Sequence, residues 1–297
     1  MRIDTHQHFW RRSRGDYAWL DSAQPALRPL LRDFEPPDLS PLLDEHGVSQ
    51  TVLVQAAASE AETDFLLSLA DQHAWIGGVV GWIDLSDAAR RPVLERWARH
   101  PKFKGVRPML QDMTDVQWIA HAPQAAMVNA LIDHGLRLDA LVKPPHLAAL
   151  LRFIARWPEL EVVIDHAAKP TLREGWQADW VPTWRAGMRD IASHPHVHCK
   201  FSALLTEADP AAVGDVEAAV ATVRPVWDTL VEHFGTGRLM WGSDWPVLTL
   251  AGSYARWVSV CDTLVGELDA AQQAAVWRDN AARFYALPTP AKAPAAA

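Results

Sequence analysis

Cysteine is almost missing from this chain. Cys199 and Cys261 are the two present, and their spacing fits neither a zinc ribbon nor a disulfide framework. Basic residues are also in short supply, with 28 Lys and Arg against 36 Asp and Glu and a formal net charge of -8. Nucleic acid is therefore not an expected partner, because phosphate binding needs clustered cations. No run of about 18 uncharged apolar residues occurs, so no membrane span is expected. The opening Met1-Arg2-Ile3-Asp4-Thr5-His6 lacks the apolar core of a signal peptide. These absences predict a soluble, reducing, cytoplasmic setting. No glycine-rich loop follows the first β-like run, which speaks against a dinucleotide fold.

What is present is alternation. Short β-branched runs are separated by longer stretches of helical period, the signature of βα units on a parallel sheet. Eight strands are expected, at Arg2–His8, Thr51–Ala56, Gly77–Ile83, Phe103–Pro108, Leu136–Val142, Glu161–His166, Val197–Ala203 and Arg238–Ser243. Helical faces recur between them, for example Phe65, Leu66 and Leu69 within Ala61–His73, and Leu147, Leu150, Leu151 and Ile154 within Pro145–Trp157. Val213–His233 and Ala270–Tyr285 repeat the pattern. Eight units over 297 residues with 49% hydrophobic content predict an α/β fold, a single (β/α)8 TIM barrel over residues 1–287. The Pro/Ala-rich tail, residues 288–297, is expected to be disordered. Two segments exceed the repeat, Phe9–Ser40 after the first strand and Lys169–Pro182 after the sixth. Long loops at strand C-termini lie on the catalytic face of such a barrel, and both are expected to act as lids.

Three motifs fall at those strand ends. In Asp4-Thr5-His6-Gln7-His8, residues two apart share a face of the strand, so His6 and His8 point into one mouth. Two imidazoles there can bind a metal or polarise a carbonyl. Val162-Val163-Ile164-Asp165-His166 is an apolar strand tipped by histidine, which is costly to bury unless it is hydrogen-bonded. Leu239-Met240-Trp241-Gly242-Ser243-Asp244 ends in a carboxylate able to serve as general base, metal ligand or helix cap, and Gly242 permits close approach. Barrel closure brings the first and last strands side by side.

On these motifs the chain resembles the amidohydrolase superfamily, in its amidohydrolase-2 branch, and within it the sugar lactonases and 2-pyrone-4,6-dicarboxylate lactonase. The matching stretches are Ile3–Trp10, Phe103–Pro108, Asp165–Pro170, Cys199–Leu204 and Trp241–Pro246. The resemblance implies a distorted barrel that hydrolyses a cyclic ester. His6, His8 and His166 would hydrogen-bond the lactone carbonyl and stabilise the oxyanion. Asp244 would take a proton from the attacking water and pass it to the leaving oxygen. One preorganised donor can be worth about 3 kcal/mol to such a transition state.

The chain departs from metal-binding members of that superfamily. The fourth strand ends Val106-Arg107-Pro108 where binuclear members have a lysine. The fifth ends Leu141-Val142-Lys143, where metal-binding members have a histidine, and His146 lies beyond two prolines. Catalysis without a required cofactor is the expectation. His6, His8, His166 and Asp244 still compose a sensible mononuclear zinc set. For substrate, Arg107, Lys143 and Lys169 are cationic candidates, and Gln55 and Ser202 are candidate hydroxyl partners. Trp10, Trp82, Trp241 and Trp245, with Trp19 and Trp176, fall near strand ends and mouth loops, where an indole face suits a compact polar ring. A pyrone dicarboxylate would call for several arginines, and Arg107 alone is clearly placed. The expected substrate is thus a small aldonolactone such as fucono-, rhamnono- or galactonolactone. The alternatives are a pyrone-dicarboxylate-type lactonase and a zinc-dependent decarboxylase of the same branch. The number of copies in the assembly stays open.

Overall fold

The computed structural model describes residues 1–288. Of the expected tail, residues 289–297 lie outside the described residues. Eight parallel strands run in the order β1 to β8, namely β1 Arg2–Gln7, β2 Val48–Val54, β3 Ile76–Gly81, β4 Phe103–Val106, β5 Arg137–Ala140, β6 Val162–Ile164, β7 Val197–Phe201 and β8 Leu239–Trp241. A helix follows each strand, and those after β1, β2 and β3 are Pro36–Glu45, Glu60–Gln72 and Arg91–Ala98. The expected (β/α)8 barrel is the fold. Among the described residues no helix is long and apolar enough to cross a membrane.

All eight expected strands form, and each leaves the ladder before its expected end. β1 stops at Gln7 rather than His8, β6 at Ile164 rather than His166, and β8 at Trp241 rather than Ser243. The difference has a chemical meaning. His8, His166 and Asp244 stand on the exits, where the backbone is free of sheet geometry and can aim side chains across the mouth. The expected helix Ala270–Tyr285 is also broken, by a π turn at Ala275–Asp279. Beyond that turn the Asn280 amide donates to the carbonyls of Thr236 and Leu239, each at 2.7 Å.

Strand alternation divides the core in two. Ile3, Val52, Val54, Val80, Val163 and Met240 form one apolar cluster with Phe284, Tyr285 and Leu287. Residues of β2 and β6 can meet only across the barrel, so this cluster fills its interior. The residues between them, such as Leu53, Val162, Ile164, Leu239 and Trp241, belong to the larger cluster under the helices. The same period places Cys199 and Phe201 outward and His198, Lys200 and Ser202 inward.

The seam between β1 and β8 is held by mixed bonds. The His8 amide donates to the Trp245 carbonyl at 2.8 Å and the Asp244 amide to the His6 carbonyl at 2.7 Å. Lower down, Thr5 Oγ1 donates to the Trp241 carbonyl at 2.7 Å, and the Asp4 carboxylate accepts the Ser243 amide at 2.8 Å. Tyr254 completes the clasp by donating to Asp4 Oδ2 at 3.0 Å. Gly242 sits at the tightest point, where a Cβ would lie 2.9 Å from His6 Cβ.

Candidate active site

The seam and the β6 exit bring the expected residues together. Asp244 Oδ1 lies 3.2 Å from His8 Nε2, 3.7 Å from His6 Nε2 and 3.8 Å from His166 Nε2. The His6 and His166 rings are 4.3 Å apart between centroids, and those of His6 and His8 4.9 Å. His8, His166 and Asp244 line a cavity at the C-terminal end of the barrel, together with Arg107, Lys169 and Trp19. His6 is fully buried behind them.

Unusual backbone aims these groups. His166, Ala167, Ala168 and Lys169 have φ of 57°, 52°, 59° and 48°, a left-handed turn of four residues, and Asp244 has φ 60°. For L-residues this region costs on the order of 1–2 kcal/mol each, so the surroundings must impose it. Trp184 Nε1 donates to the Ala167 carbonyl at 2.8 Å, the Lys169 amide donates to the His166 carbonyl at 2.8 Å, and Lys169 Nζ pairs with Glu207 at 3.3 Å.

The partners define where protons sit. His8 Nδ1 lies 2.7 Å from the Val54 carbonyl, which can only accept, so that nitrogen carries hydrogen. His8 Nε2 then faces Asp244 Oδ1 as a lone pair unless a proton is shared between them. Burial, reinforced by the Lys200 ammonium, drives His6 well below its usual pKa, so it is neutral near pH 7. Each ring nitrogen faces a pure donor at 3.2 Å, Nε2 the Arg107 Nη1 and Nδ1 the Lys200 Nζ, and Nδ1 also lies 3.2 Å from Asp165 Oδ1. Burial, followed by His6, likewise pushes His166 well below its usual value. Its Nδ1 meets Ser202 Oγ at 2.8 Å.

Several expected substrate contacts are differently employed. Ser202 is fully buried and orients His166. Gln55 is buried and exchanges bonds with Arg107. Its Nε2 donates to the Arg107 carbonyl at 2.8 Å, and Arg107 Nη2 donates to the Gln55 carbonyl. Lys143 is half exposed, 3.8 Å from Asp112, and lines a neighbouring cavity that shares Lys169. Trp10 is fully buried with its Nε1 on the Arg32 carbonyl. Trp241 faces outward against Trp277 because β8 turns Met240 inward. Trp245 is buried edge-on against Phe9 and Phe34. Trp82 is half-buried, its backbone engaged by Thr63, and does not line the cavity that holds His8, His166 and Asp244. Arg107 and Lys169 do line it, and Arg107 Nε is buried with no partner in the protein.

Trp19 is the tryptophan that reaches the cavity, from the long segment after β1. Its Nε1 donates to the Ala56 carbonyl at 2.7 Å. Two residues earlier, Tyr17 donates to Glu62 Oε2 at 2.7 Å, and Glu62 Oε1 accepts the Ala56 amide at 3.1 Å. Burial pushes Glu62 up from 4.5 to about 7. A raised carboxyl contributes stability that is present below its unfolded value and lost as pH rises through the folded one. Glu62→Gln keeps the neutral shape, so its melting temperature relative to the parent should be higher at pH 8 than at pH 5. Equal differences at both pH values, by thermal denaturation, would show that the folded Glu62 does not titrate between them.

Beneath His6 lies a group that sequence reading passed over. Lys200 is fully buried, with Nζ 2.5 Å from Asp139 Oδ2, 3.0 Å from Asp165 Oδ1 and 3.2 Å from His6 Nδ1. Tyr285 donates to Asp139 at 2.9 Å. Burial pushes Asp139 up to about 6. Asp165 is equally buried, yet Lys200, His166 and Arg107 outweigh that push and hold it below the usual carboxylate value.

His6, His8 and Asp244 also form a potential metal-ligating group. A tetrahedral ion with bonds of about 2.0–2.1 Å needs ligand atoms roughly 3.3 Å apart, close to the 3.2 to 3.8 Å separations from Asp244 Oδ1 to the three imidazoles. The trio His6, His8 and Asp244 therefore fits a divalent ion, while His166 groups instead with His6 and Asp165, and Arg107 Nη1 lies 3.2 Å from His6 Nε2.

The structure is an eight-stranded parallel barrel with three imidazoles and one carboxylate gathered at its C-terminal mouth. The amidohydrolase family profile matches residues 3–287, and the chain belongs to that family. It is 40% identical over 294 residues to an L-fucono-1,5-lactonase of Burkholderia ambifaria, covering 98% of this chain and 97% of the relative. An amidohydrolase of Burkholderia multivorans crystallised with HEPES superposes with TM-score 0.90 at 39% identity, over 97% of this chain and 100% of that one. A crystal form of that protein with bound zinc gives TM-score 0.88 at 38% identity, over the same shares.

Proposed function

We propose that the protein hydrolyses the ring ester of a small aldonolactone, an L-fucono-1,5-lactone or a close stereochemical relative, to the open sugar acid. The observation that carries the reading is the convergence of Asp244 with three imidazoles at 3.2 to 3.8 Å. The 40% identity to an L-fucono-1,5-lactonase over nearly the full length supports the substrate class. The reading retains a cytoplasmic setting, in keeping with two free thiols, and a lactone as sole expected partner. The pyrone-dicarboxylate alternative would need more than one arginine on the cavity, and Arg107 is the arginine there.

The geometry supports a concerted pair. With the shared proton on His8, Asp244 is a free carboxylate and takes a proton from water as the water oxygen bonds to the carbonyl carbon. His8 Nε2–H donates to the oxyanion, and when Ser202 donates to His166 Nδ1, His166 Nε2–H adds a second donor. The ring C–O bond then breaks, and Asp244 returns its proton to the departing ring oxygen. No expelled fragment results, since the alcohol stays on the sugar acid.

A divalent ion held by His6, His8, His166 and Asp244 would polarise the carbonyl and acidify water. The reading does not require it, because the same positions carry protons and Arg107 a permanent charge. Chelation is expected to change kcat less than about threefold, where loss of a catalytic metal would cost orders of magnitude. The defining experiment is a pH-indicator assay over five- and six-membered sugar lactones, with and without chelator. Acid release that survives chelation supports the proposal; no release from any lactone sinks it. Arg107→Met should raise KM by about tenfold or more, the size of one charge-assisted hydrogen bond. A loss confined to kcat would instead assign Arg107 to the chemical step.

A further inference from the structure

Beside the cavity that holds His8, His166 and Asp244 lies a second, larger one that the proposed hydrolysis does not use. The first has a volume of about 100 Å³ and its neighbour about 570 Å³. Pockets that enclose a small molecule run to about 300–1,000 Å³, so the neighbour has room for a complete sugar acid. The two cavities share Lys169, which ends the left-handed turn after β6. Lys143 reaches the second cavity from the exit of β5, and Glu207 from the short helix Leu204–Glu207 after β7. The second cavity thus covers the part of the mouth away from the β1–β8 seam.

Its charge is unusual for this protein. Three cations, Lys143, Lys169 and Arg173, line it against two carboxylates, Glu174 and Glu207, in a chain whose net charge is -8. The cations are loosely held. Lys143 lies 3.8 Å from Asp112 with its side chain 44% exposed, and Lys169 lies 3.3 Å from Glu207. Arg173 is exposed and donates to the Thr206 carbonyl at 3.1 Å, a bond that leaves its charge unmatched. Ion pairs open to solvent contribute little, so an incoming anion can exchange for them. Thr171 and Thr183 add hydroxyls and Trp180 an indole face, which suit a polyhydroxy chain with an apolar edge.

Hydrolysis turns a neutral ring into an anion, because a sugar acid is ionised near neutral pH. The new carboxylate arises beside Asp244, which is a carboxylate again once its proton has gone to the ring oxygen, and like charges in a confined site repel. Arg107, one cation on the first cavity, is already 3.6 Å from Asp165. Lys169 on the shared wall draws the anion toward the second cavity, where Lys143 and Arg173 add two further charges. We propose that the second cavity is a product site, which binds the open-chain sugar acid with its carboxylate among Lys143, Lys169 and Arg173. The assignment rests on the proposed hydrolysis for the identity of the acid, and not for the binding of a polyhydroxy carboxylate as such.

The test is titration calorimetry of the full-length protein with L-fuconate, the acid from saponified L-fucono-1,5-lactone, and with L-fucitol, which has the same carbon chain and no carboxylate. The parent should bind L-fuconate at least tenfold more tightly than L-fucitol. Lys143→Met/Arg173→Met should lose that preference, its Kd for L-fuconate rising about 10- to 100-fold, as lost charge-assisted bonds imply. The rise should exceed any rise in the lactone KM, from initial rates, by at least fivefold. Arg173→Met alone repeats the comparison at an exposed position, where folding is not at stake. Equal affinity of the parent for the two ligands would overturn the proposal. So would a double variant that keeps the parental Kd, which would place the acid in the first cavity, or one whose Kd and KM rise together, which would make the second cavity part of the lactone site. A parent that prefers L-fuconate yet opens no lactone would remove the hydrolase reading and leave the anion site standing. Lactone opening without that preference would do the reverse.

Discussion

Asp244→Asn should lower kcat on the hydrolysed lactone by about 10³- to 10⁴-fold, the range of a lost general base, with the barrel intact. The structure explains why the fold survives. Asparagine tolerates a left-handed backbone better than most residues, so φ of 60° is not disturbed. The backbone bonds from the Asp244 amide to His6 and from the Leu248 amide to Asp244 do not involve the side chain. The new amide can donate to the His8 Nε2 lone pair across the present 3.2 Å contact. What disappears is a group able to take a proton from water and return it to the ring oxygen. Steady-state kinetics with a matched melting curve check this. Turnover within about tenfold of the parent would exclude Asp244 as base.

Gly242→Ala is expected to be nearly as damaging, by geometry rather than chemistry. The added methyl would stand 2.9 Å from His6 Cβ and 3.2 Å from the His6 amide nitrogen. These are the root of a side chain and a strand backbone, neither of which can swing aside. The seam must open, and with it the distance between Asp244 on one side and His6 and His8 on the other. A displacement approaching 1 Å at a reacting centre can cost about 100-fold, so kcat should fall by roughly that factor while the helical circular dichroism stays unchanged. Parental kcat in a folded variant would show that the seam is more compliant than its short bonds imply.

The barrel and the groups that meet at its mouth were legible from strand-end motifs, because period-two alternation and the helical repeats are local signals. His6, His8, His166 and Asp244 meet as those motifs imply. The tryptophans were less readable. Whether Trp241 or Met240 turns inward depends on a one-residue phase that composition does not set, and Trp10 and Trp245 close the layer behind the mouth instead of lining it. Ser202 and Gln55 were found as polar residues near strand ends, but Ser202 is bonded to His166 and the Gln55 amide nitrogen to the Arg107 carbonyl. Lys200 was invisible because a lysine in a short strand reads as solvent-facing. Its counterions are Asp139 on β5 and Asp165 at the exit of β6, and only the closed barrel brings the three together. One signal was available, in that Lys200 and Ser202 share a face with period two.

The seam also sets an order of events. His8 and Asp244 are partners separated by 236 positions, near opposite ends of the chain. A polypeptide halted before Trp245 could hold every imidazole in place yet lack the carbonyl that receives the His8 amide. The mouth is therefore assembled only when the last strand and its exit meet the first.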